Sequence, residues 1–437
     1  MPSNSLIYVS LLVSAMLPHA AQARLSPAES RMVETVRSEQ DRSIALLERL
    51  VNVNSGTMNL AGVEKVGQMM RAELEPLGFD VRWVPMAAVG RAGHIVATHK
   101  GDGKGKRLLL IGHLDTVFEQ HSPFQTFVRK GDKAEGPGAG DDKGGMVVML
   151  AALRAMQAAG TLKAADIEIV LTGDEEDAGS PVETARAALV EAGKRADVAL
   201  DFEGLVRDGG RDMGSIARRS SYSWTITATG RTGHSSLIFT PQYGDGAANE
   251  LARIVTAFRQ ELPEPNLTFN VGLIAAGANA SIEADGARAS ASGKTNIIPA
   301  IAIARGDFRT LTNDQTLRVR QKMEAIVARH APGTDAKIEF EEGYPSMAPT
   351  AGNRAVLASL NGVNRDLGLP EMPELDPLKR GAGDISFVAG DVDGLAGLGP
   401  YSTGDHAPGE TVDLPSISTQ AQRAAILMSR LSREPRK

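Results

Sequence analysis

Five stretches of this 437-residue chain bring histidines and acids to places where they could act together. The apolar run LLLI is followed by GHLD, so His113 and Asp115 leave a strand-like segment two positions apart. Strand alternation would put both side chains on one side. GPGAGDDKGG, residues 136–145, sets Asp141 and Asp142 among glycines at the start of a helix-like run. DEED, residues 174–177, follows the strand-like IEIVLTG. ADVALDFEG brings Asp201 and Glu203 to the end of another such run, and YSTGDHAPGE holds Asp405, His406 and Glu410.

Each stretch alone has an ordinary explanation. His-x-Asp is a common polar loop, and acids at a helix start cap it and suit its dipole. A run of acids is usually a solvated face. Four adjacent carboxylates nevertheless repel one another unless water, basic groups or cations neutralise them. Ligands of largely parallel sheets gather beyond the carboxyl ends of the strands. Five acid- or His-bearing stretches that follow sheet-like elements therefore favour a metal site over five coincidences. The chain has no cysteine, which excludes thiol catalysis and leaves His, Asp and Glu to hold any metal. A net charge of −6, with 47 Lys and Arg against 53 Asp and Glu, gives no footprint for nucleic acid. The acids among the glycines at 136–145 would repel a dinucleotide's pyrophosphate.

The elements that must position these residues follow from periodicity. Apolar spacing predicts helices over 29–50 and 63–77, then strands FDVRWV, HIVATH and KRLLLIGH, and a helix over 141–159. ADIEIVLTG, PVETARAALVEAG and ADVALDF continue as strand, helix, strand. This alternation predicts an α/β domain, a mainly parallel sheet with helices on both faces. From about Ser220 the pattern changes to half-buried strands, SYSWTITATG, NLTFNVGLI, SASGKTN and AIAIARGDFRT, with helices over 247–262 and 314–331. That is a smaller α+β insert. Beyond it come a helix over 353–367, the glycine-rich RGAGDISFVAG and a last helix over 416–433. The expected division is a catalytic domain in two parts, 24–219 and 333–437, interrupted by a lid at 220–332. Ahead of it, the apolar stretch 7–17 and AQA at 21–23 read as a signal peptide, residues 1–23, and a periplasmic or secreted protein. The apolar run is too short for a stable membrane anchor, which takes about 20 residues.

In order along the chain, HLD at 113–115, GAGDDKGG, GDEED, DFEG and GDHAPGE match the signature of the M20 family of dizinc peptidases and amidohydrolases. The chain most closely resembles the glutamate carboxypeptidase branch, over nearly all of the mature chain. The resemblance implies two zinc ions, with manganese or cobalt suiting the same ligands. It implies that His113 binds one metal, that Asp141 bridges, with Asp142 its neighbour, and that Glu203 completes the first set, with Asp201 its close competitor. Glu176 and His406 would serve the second metal. Asp115 would orient and polarise His113, and Glu175 would be the general base. In the lid, His234 of TGRTGHSS would reach the substrate carbonyl across a homodimer interface. Asn296 of TNIIPA and Arg309 of GDFRT would bind a substrate carboxylate. Gly383 of GAGDISF would bring backbone to the pocket, beside Asp384 and Arg380. The implied activity is carboxypeptidase cleavage of an amide or peptide bond next to a C-terminal carboxylate, glutamate first among candidates. The alternatives are an N-acyl-amino-acid amidohydrolase, a dipeptidase, or a non-catalytic binding protein on the same fold. DFEG lacks the Pro-Thr that often follows the glutamate, and TGRTGHSS carries an extra glycine. Both departures concern specificity more than hydrolysis.

N-terminal sequencing of the exported protein is expected to read RLSPAES, from cleavage after Ala23. A mature chain that keeps residues 1–23 would overturn the export reading.

Overall fold

The computed structural model describes residues 25–283 and 286–436. The expected signal segment lies outside them. The apolar repeat over 29–50 is broken at Glu39 into α1 (Pro27–Ser38) and α2 (Gln40–Val51). At the start of α1, the Ser26 hydroxyl accepts from the Glu29 amide and the Glu29 carboxylate accepts from the Ser26 amide, a reciprocal cap. α3 (Leu60–Leu74) follows, apolar on its inner side.

The larger sheet contains β1 (Asp80–Pro85), β2 (Gly93–His99), β3 (Arg107–His113), β4 (Asp166–Thr172), β5 (Val198–Asp201) and a short closing strand, Gly394–Leu395. Their order is β1, β2, β4, β3, β5, closing strand. The pairs from β4 to the closing strand are parallel, and β1 and β2 add an antiparallel edge. The continuous LLLI of β3 has a direct cause. Leu108 and Leu110 enter one core with α4 (Lys143–Ala158), while Leu109 and Ile111 enter another with Leu189 and Ala192 of α5 (Val182–Arg195). A strand buried on both faces needs no polar alternation. α4 is likewise apolar nearly all round, because it packs under the sheet against α1 and α2.

The inserted domain is built on an antiparallel sheet of β6 (Tyr222–Gly230), β7 (Thr268–Gly277), β8 (Ile301–Arg309) and β9 (Thr334–Phe340), ordered β7, β8, β6, β9. α6 (Ala247–Glu261) and α7 (Asn313–Val327) supply its core with Trp224 and Phe308. The expected strand at SASGKTN is only Ala289–Ser292, in a hairpin with Asn279–Ile282. The smaller sheet extends past the boundary expected at 332, because β9 pairs along β6. α8 (Ala351–Asp366) and α9 (Leu414–Leu431) then return to the larger domain, α9 lying against α4. The segments entering and leaving the lid pair with each other, Arg218 with Met347 and Ser221 with Tyr344. No helix among the described residues is long and apolar enough to cross a membrane.

Trp224 is fully buried and meets Phe258 edge-on, with ring centroids 5.7 Å apart. Trp224→Ala is expected to cost about 3–5 kcal/mol of stability, read from urea unfolding. A loss under about 1 kcal/mol would contradict a lid core built on this ring.

Candidate active site

β3, β4 and β5 are parallel neighbours, so their carboxyl ends open at one edge of the sheet. His113 ends β3, DEED follows β4, and Asp201 ends β5. Two glycines make room beneath them. A Cβ on Gly112 would lie 2.6 Å from Asp142 Oδ2, and one on Gly145 would lie 2.0 Å from both Asp142 Oδ1 and the Phe202 carbonyl. Asp142 is thus packed under the strands, its Oδ2 accepting the His113 amide at 3.2 Å.

Asp141 points the other way, into the opening. Its Oδ1 is 3.0 Å from His113 Nε2 and its Oδ2 is 3.0 Å from His406 Nε2. Ligand atoms of His113, Asp141 and Glu176 lie within 4.8 Å of one another. His406 closes the other side, 3.3 Å from Glu176 Oε2, on a turn where its φ is +65°. A non-glycine residue in that region is held there by its surroundings. Burial works to raise the Asp141 carboxyl, but hydrogen bonds and charge from His113 and His406 hold it far below the usual range.

Asp115 ties two strand ends together. Its Oδ1 accepts the Glu175 amide at 3.0 Å, and its Oδ2 accepts the Glu176 amide at 3.1 Å and the Thr57 hydroxyl at 2.7 Å. His113 Nδ1 lies 3.5 Å from Asp115 Oδ1 and 3.2 Å from its carbonyl oxygen. Despite burial, the His113, Thr57 and Glu176 hydrogen bonds keep the Asp115 carboxyl below its usual range.

Glu175 and Glu176 behave differently. Burial pushes the Glu175 carboxyl well up; His113 opposes this, while Glu203, Asp384 and Asp141 add repulsion. Glu176 is pushed to about 11 by burial and then by Asp141 and Glu175. Glu176 Oε1 is buried with no hydrogen-bond partner among the described residues. Buried acids in excess of their basic partners, with an unsatisfied oxygen among them, suit a divalent cation.

Glu203 and Asp201 are paired with arginine, and neither bonds to the His113 ring among the described residues. Glu203 Oε2 is 2.6 Å from Arg218 Nη1 and 3.1 Å from Arg380 Nη2, and Asp201 Oδ2 is 3.2 Å from Arg218 Nη1. Burial, with repulsion from Glu203, raises Asp201 to about 7. Gly383 lies against this pair, where a Cβ would be 2.2 Å from Arg218 Nη1 and 2.4 Å from Glu203 Oε1.

In the lid, His234 is exposed and its Nδ1 accepts the Ser236 amide at 3.2 Å. The neutral ring therefore carries its proton on Nε2, a donor with no partner among the described residues. The Asn296 carbonyl accepts the Ser235 amide at 2.9 Å, which sets TNIIPA beside His234. Among the described residues, neither side chain bonds to the acid–histidine cluster of its own chain. Arg309 pairs with Asp307 at 3.3 Å and brings Nη1 to 3.5 Å from where a Gly381 Cβ would lie, so it faces the glycine-rich turn of the larger domain.

Four contributors escaped sequence reasoning as site residues. Glu410 accepts the amides of Gly138, Gly140 and Asp141, fixing the glycine-rich loop. Its place in GDHAPGE was the available signal. Thr57, Arg186 and Tyr344 carry no local signal. Arg186 is fully buried between Asp174 at 2.6 Å and Asp384 at 2.8 Å, and Tyr344 bonds to the Glu175 backbone.

The family model described as Peptidase family M20/M25/M40 matches residues 109–430. Carboxypeptidase G2 of Pseudomonas sp. (strain RS-16) is 28% identical over 365 residues, 82% of each chain. Succinyl-diaminopimelate desuccinylase of Alkalilimnicola ehrlichii is 28% identical over 392 residues, 86% of this chain and 96% of its own. Equal identities leave the branch open, and the glutamate carboxypeptidase branch is not singled out. The crystal structure of the aminopeptidase PepT from Bacillus cereus has the same fold, with a TM-score of 0.70 and 19% identity over 90% of this chain and 98% of that one. With that match running from β3 to the last helix, the chain belongs to peptidase family M20/M25/M40, as a metal-dependent hydrolase of amide or peptide bonds.

Proposed function

We propose that this chain hydrolyses the amide bond of a small N-acyl amino acid or dipeptide, next to a free carboxylate. The observation that carries the reading is Asp141, with an imidazole on each oxygen and Glu175 and Glu176 alongside. Two divalent cations fit this reading, zinc first, manganese or cobalt with the same donors. His113, Asp141 and Glu203, or Asp201 in its place, would hold one; Asp141, Glu176 and His406 would hold the other. Both arginines sit on Glu203 Oε2, so Oε1 is the oxygen it would offer the cation. When bound, the ions supply a water that loses its proton near neutral pH and positive charge for the developing oxyanion.

The chain's own groups do the rest. Glu175 takes the proton from water and delivers it to the departing nitrogen. His234 Nε2–H, presented by the second copy of a homodimer paired through the lid, donates to the carbonyl oxygen. Leu237 and Phe239, exposed apolar side chains near His234, support a pairing surface there. Arg309 and Asn296 take the substrate carboxylate, and the Gly383 turn admits it closely. Release of a C-terminal glutamate is the narrower form of this reading, supported by the likeness to carboxypeptidase G2. The likeness to desuccinylases supports the wider one. A periplasmic or secreted site of action rests on the N-terminal segment.

Mass spectrometry of products from N-acyl amino acids, dipeptides, C-terminal peptides and folyl-glutamate, with metal-stripped and zinc-reloaded protein, tests the reaction. Zinc-dependent release of one amino-acid class is expected, and a folded protein that binds no metal would sink the site. Glu175→Gln is expected to lower kcat about 10²–10⁴-fold with metal content unchanged. Arg309→Lys is expected to raise KM about 10-fold with little change in kcat, since lysine cannot donate two parallel bonds to a carboxylate. Equal KM values for the two proteins would remove Arg309 from the binding site.

A further inference from the structure

The lid joins the larger domain through two segments that form a short ribbon. Arg218 and Met347 exchange both backbone hydrogen bonds at 2.9 Å, and Ser221 and Tyr344 exchange theirs at 3.0 and 2.9 Å. Each strand of this ribbon sends one side chain to an acid of the site. From the strand entering the lid, Arg218 grips Glu203 and Asp201 and donates to the carbonyls of Gly381 and Ala382. From the strand leaving it, the Tyr344 hydroxyl donates to the Glu175 carbonyl at 2.6 Å and accepts from Arg186 Nη2 at 2.5 Å.

That hydroxyl is not loosely placed. Arg186 is fixed by Asp174, by Asp384 and by the Asp174 carbonyl at 3.0 Å, and Asp384 in turn accepts the Thr172 hydroxyl at the end of β4. The Tyr344 ring meets Phe387 edge-on, with centroids 4.9 Å apart. Glu175 is consequently held on both sides of its own residue: its amide on Asp115, its carbonyl on Tyr344. Asp115 lies two residues beyond His113, the last residue of β3, whereas Tyr344 belongs to the ribbon that joins the lid to the larger domain.

We infer that Tyr344 is a positioning residue for Glu175, and that the hinge ribbon couples the lid's placement to the site through Tyr344 and Arg218. A lid that rotates must twist the ribbon, and the twist is delivered to the Glu175 backbone and to the Glu203 carboxylate. A base displaced by about 1 Å loses rate on the order of 10²-fold, so the coupling has a kinetic reach well beyond the hinge. This inference rests on Glu175 being the base, and its test includes a reading that needs no reaction.

Tyr344→Phe removes the hydroxyl and keeps the ring. Expected are kcat lowered about 10- to 100-fold, KM within about 2-fold, and unchanged metal content. In hydrogen exchange of the full-length protein, the 173–181 loop should exchange at least about 3-fold faster, with the strands of the larger sheet unchanged. In a Glu175→Gln background, Tyr344→Phe should remove less than about 2-fold more, because both changes act on one group. Unchanged loop exchange overturns the inference, and so does a kcat within 2-fold of wild type or a loss that multiplies with Glu175→Gln. If the wild-type protein cuts nothing while the loop exchange rises, the positioning stands and the proposed reaction falls. Should Tyr344→Phe fail to fold, 3-fluorotyrosine at 344 keeps the shape and alters the hydroxyl's strength as a donor. A change of at least about 2-fold in kcat at constant KM is then expected, and no change overturns the inference.

Discussion

One carboxylate with an imidazole on each oxygen is the constraint around which the larger domain is arranged. Asp141 can face both His113 and His406 only if a strand end, a helix start and a distant turn arrive at the same point. Each approach has its own device. β3 delivers His113 to the sheet edge because its four apolar residues are packed into a core on each face and its backbone pairs with a parallel neighbour on either side. Glu410 pins the glycine-rich loop by collecting three amides, and the turn that carries it also carries His406. Asp115 then aligns DEED with β3 by taking the amides of Glu175 and Glu176. The acids that remain are crowded, buried and short of partners. Such a group of residues stores repulsion until a cation relieves it.

Arginine relieves it elsewhere. Arg186 lies fully buried between Asp174 and Asp384, and Arg218 between Asp201 and Glu203. Placing fixed guanidinium charges behind the opening lets several carboxylates sit within a few ångströms without all being protonated. It also divides the acids into two sets. Asp141, Glu175 and Glu176 have no arginine on their carboxylates among the described residues, while Asp174, Asp201, Glu203 and Asp384 are paired. The second set braces the first.

The larger domain and its chemistry were legible in sequence because their signals are local. LLLI, each single strand or helix of the alternation and the five acid-bearing stretches are continuous in the chain, and periodicity or residue type reveals them. Other features depend on partners far along the chain. The Arg186–Tyr344 bond spans 158 positions and the Tyr344–Glu175 bond 169, distances at which no pattern survives. Glu203 reads as an available acid until Arg218 and Arg380 are seen on it. β9 escaped for another reason. It is an edge strand whose alternation, TDAKIEF, carries charges on its outer positions and only Ala336, Ile338 and Phe340 packed toward the lid core. The break between α1 and α2 is equally silent, because Glu39 is a good helix former and the apolar repeat continues across it.

The ribbon at the hinge also bears on how the chain comes to fold. The closing strand pairs Gly394 with Ala199 and Leu395 with Leu200, and the entire lid lies between those partners. Closing so long a stretch of flexible polypeptide loses entropy before any pairing repays it. A lid that has already collapsed around Trp224 shortens the effective path, since it brings Ser221 and Tyr344 side by side. A chain that emerges from its N-terminus releases residues 222–340 before 394, so the smaller domain can form while the larger sheet still lacks its last strand. The insert is thus also a staple, which draws together the two parts of the domain that contains it.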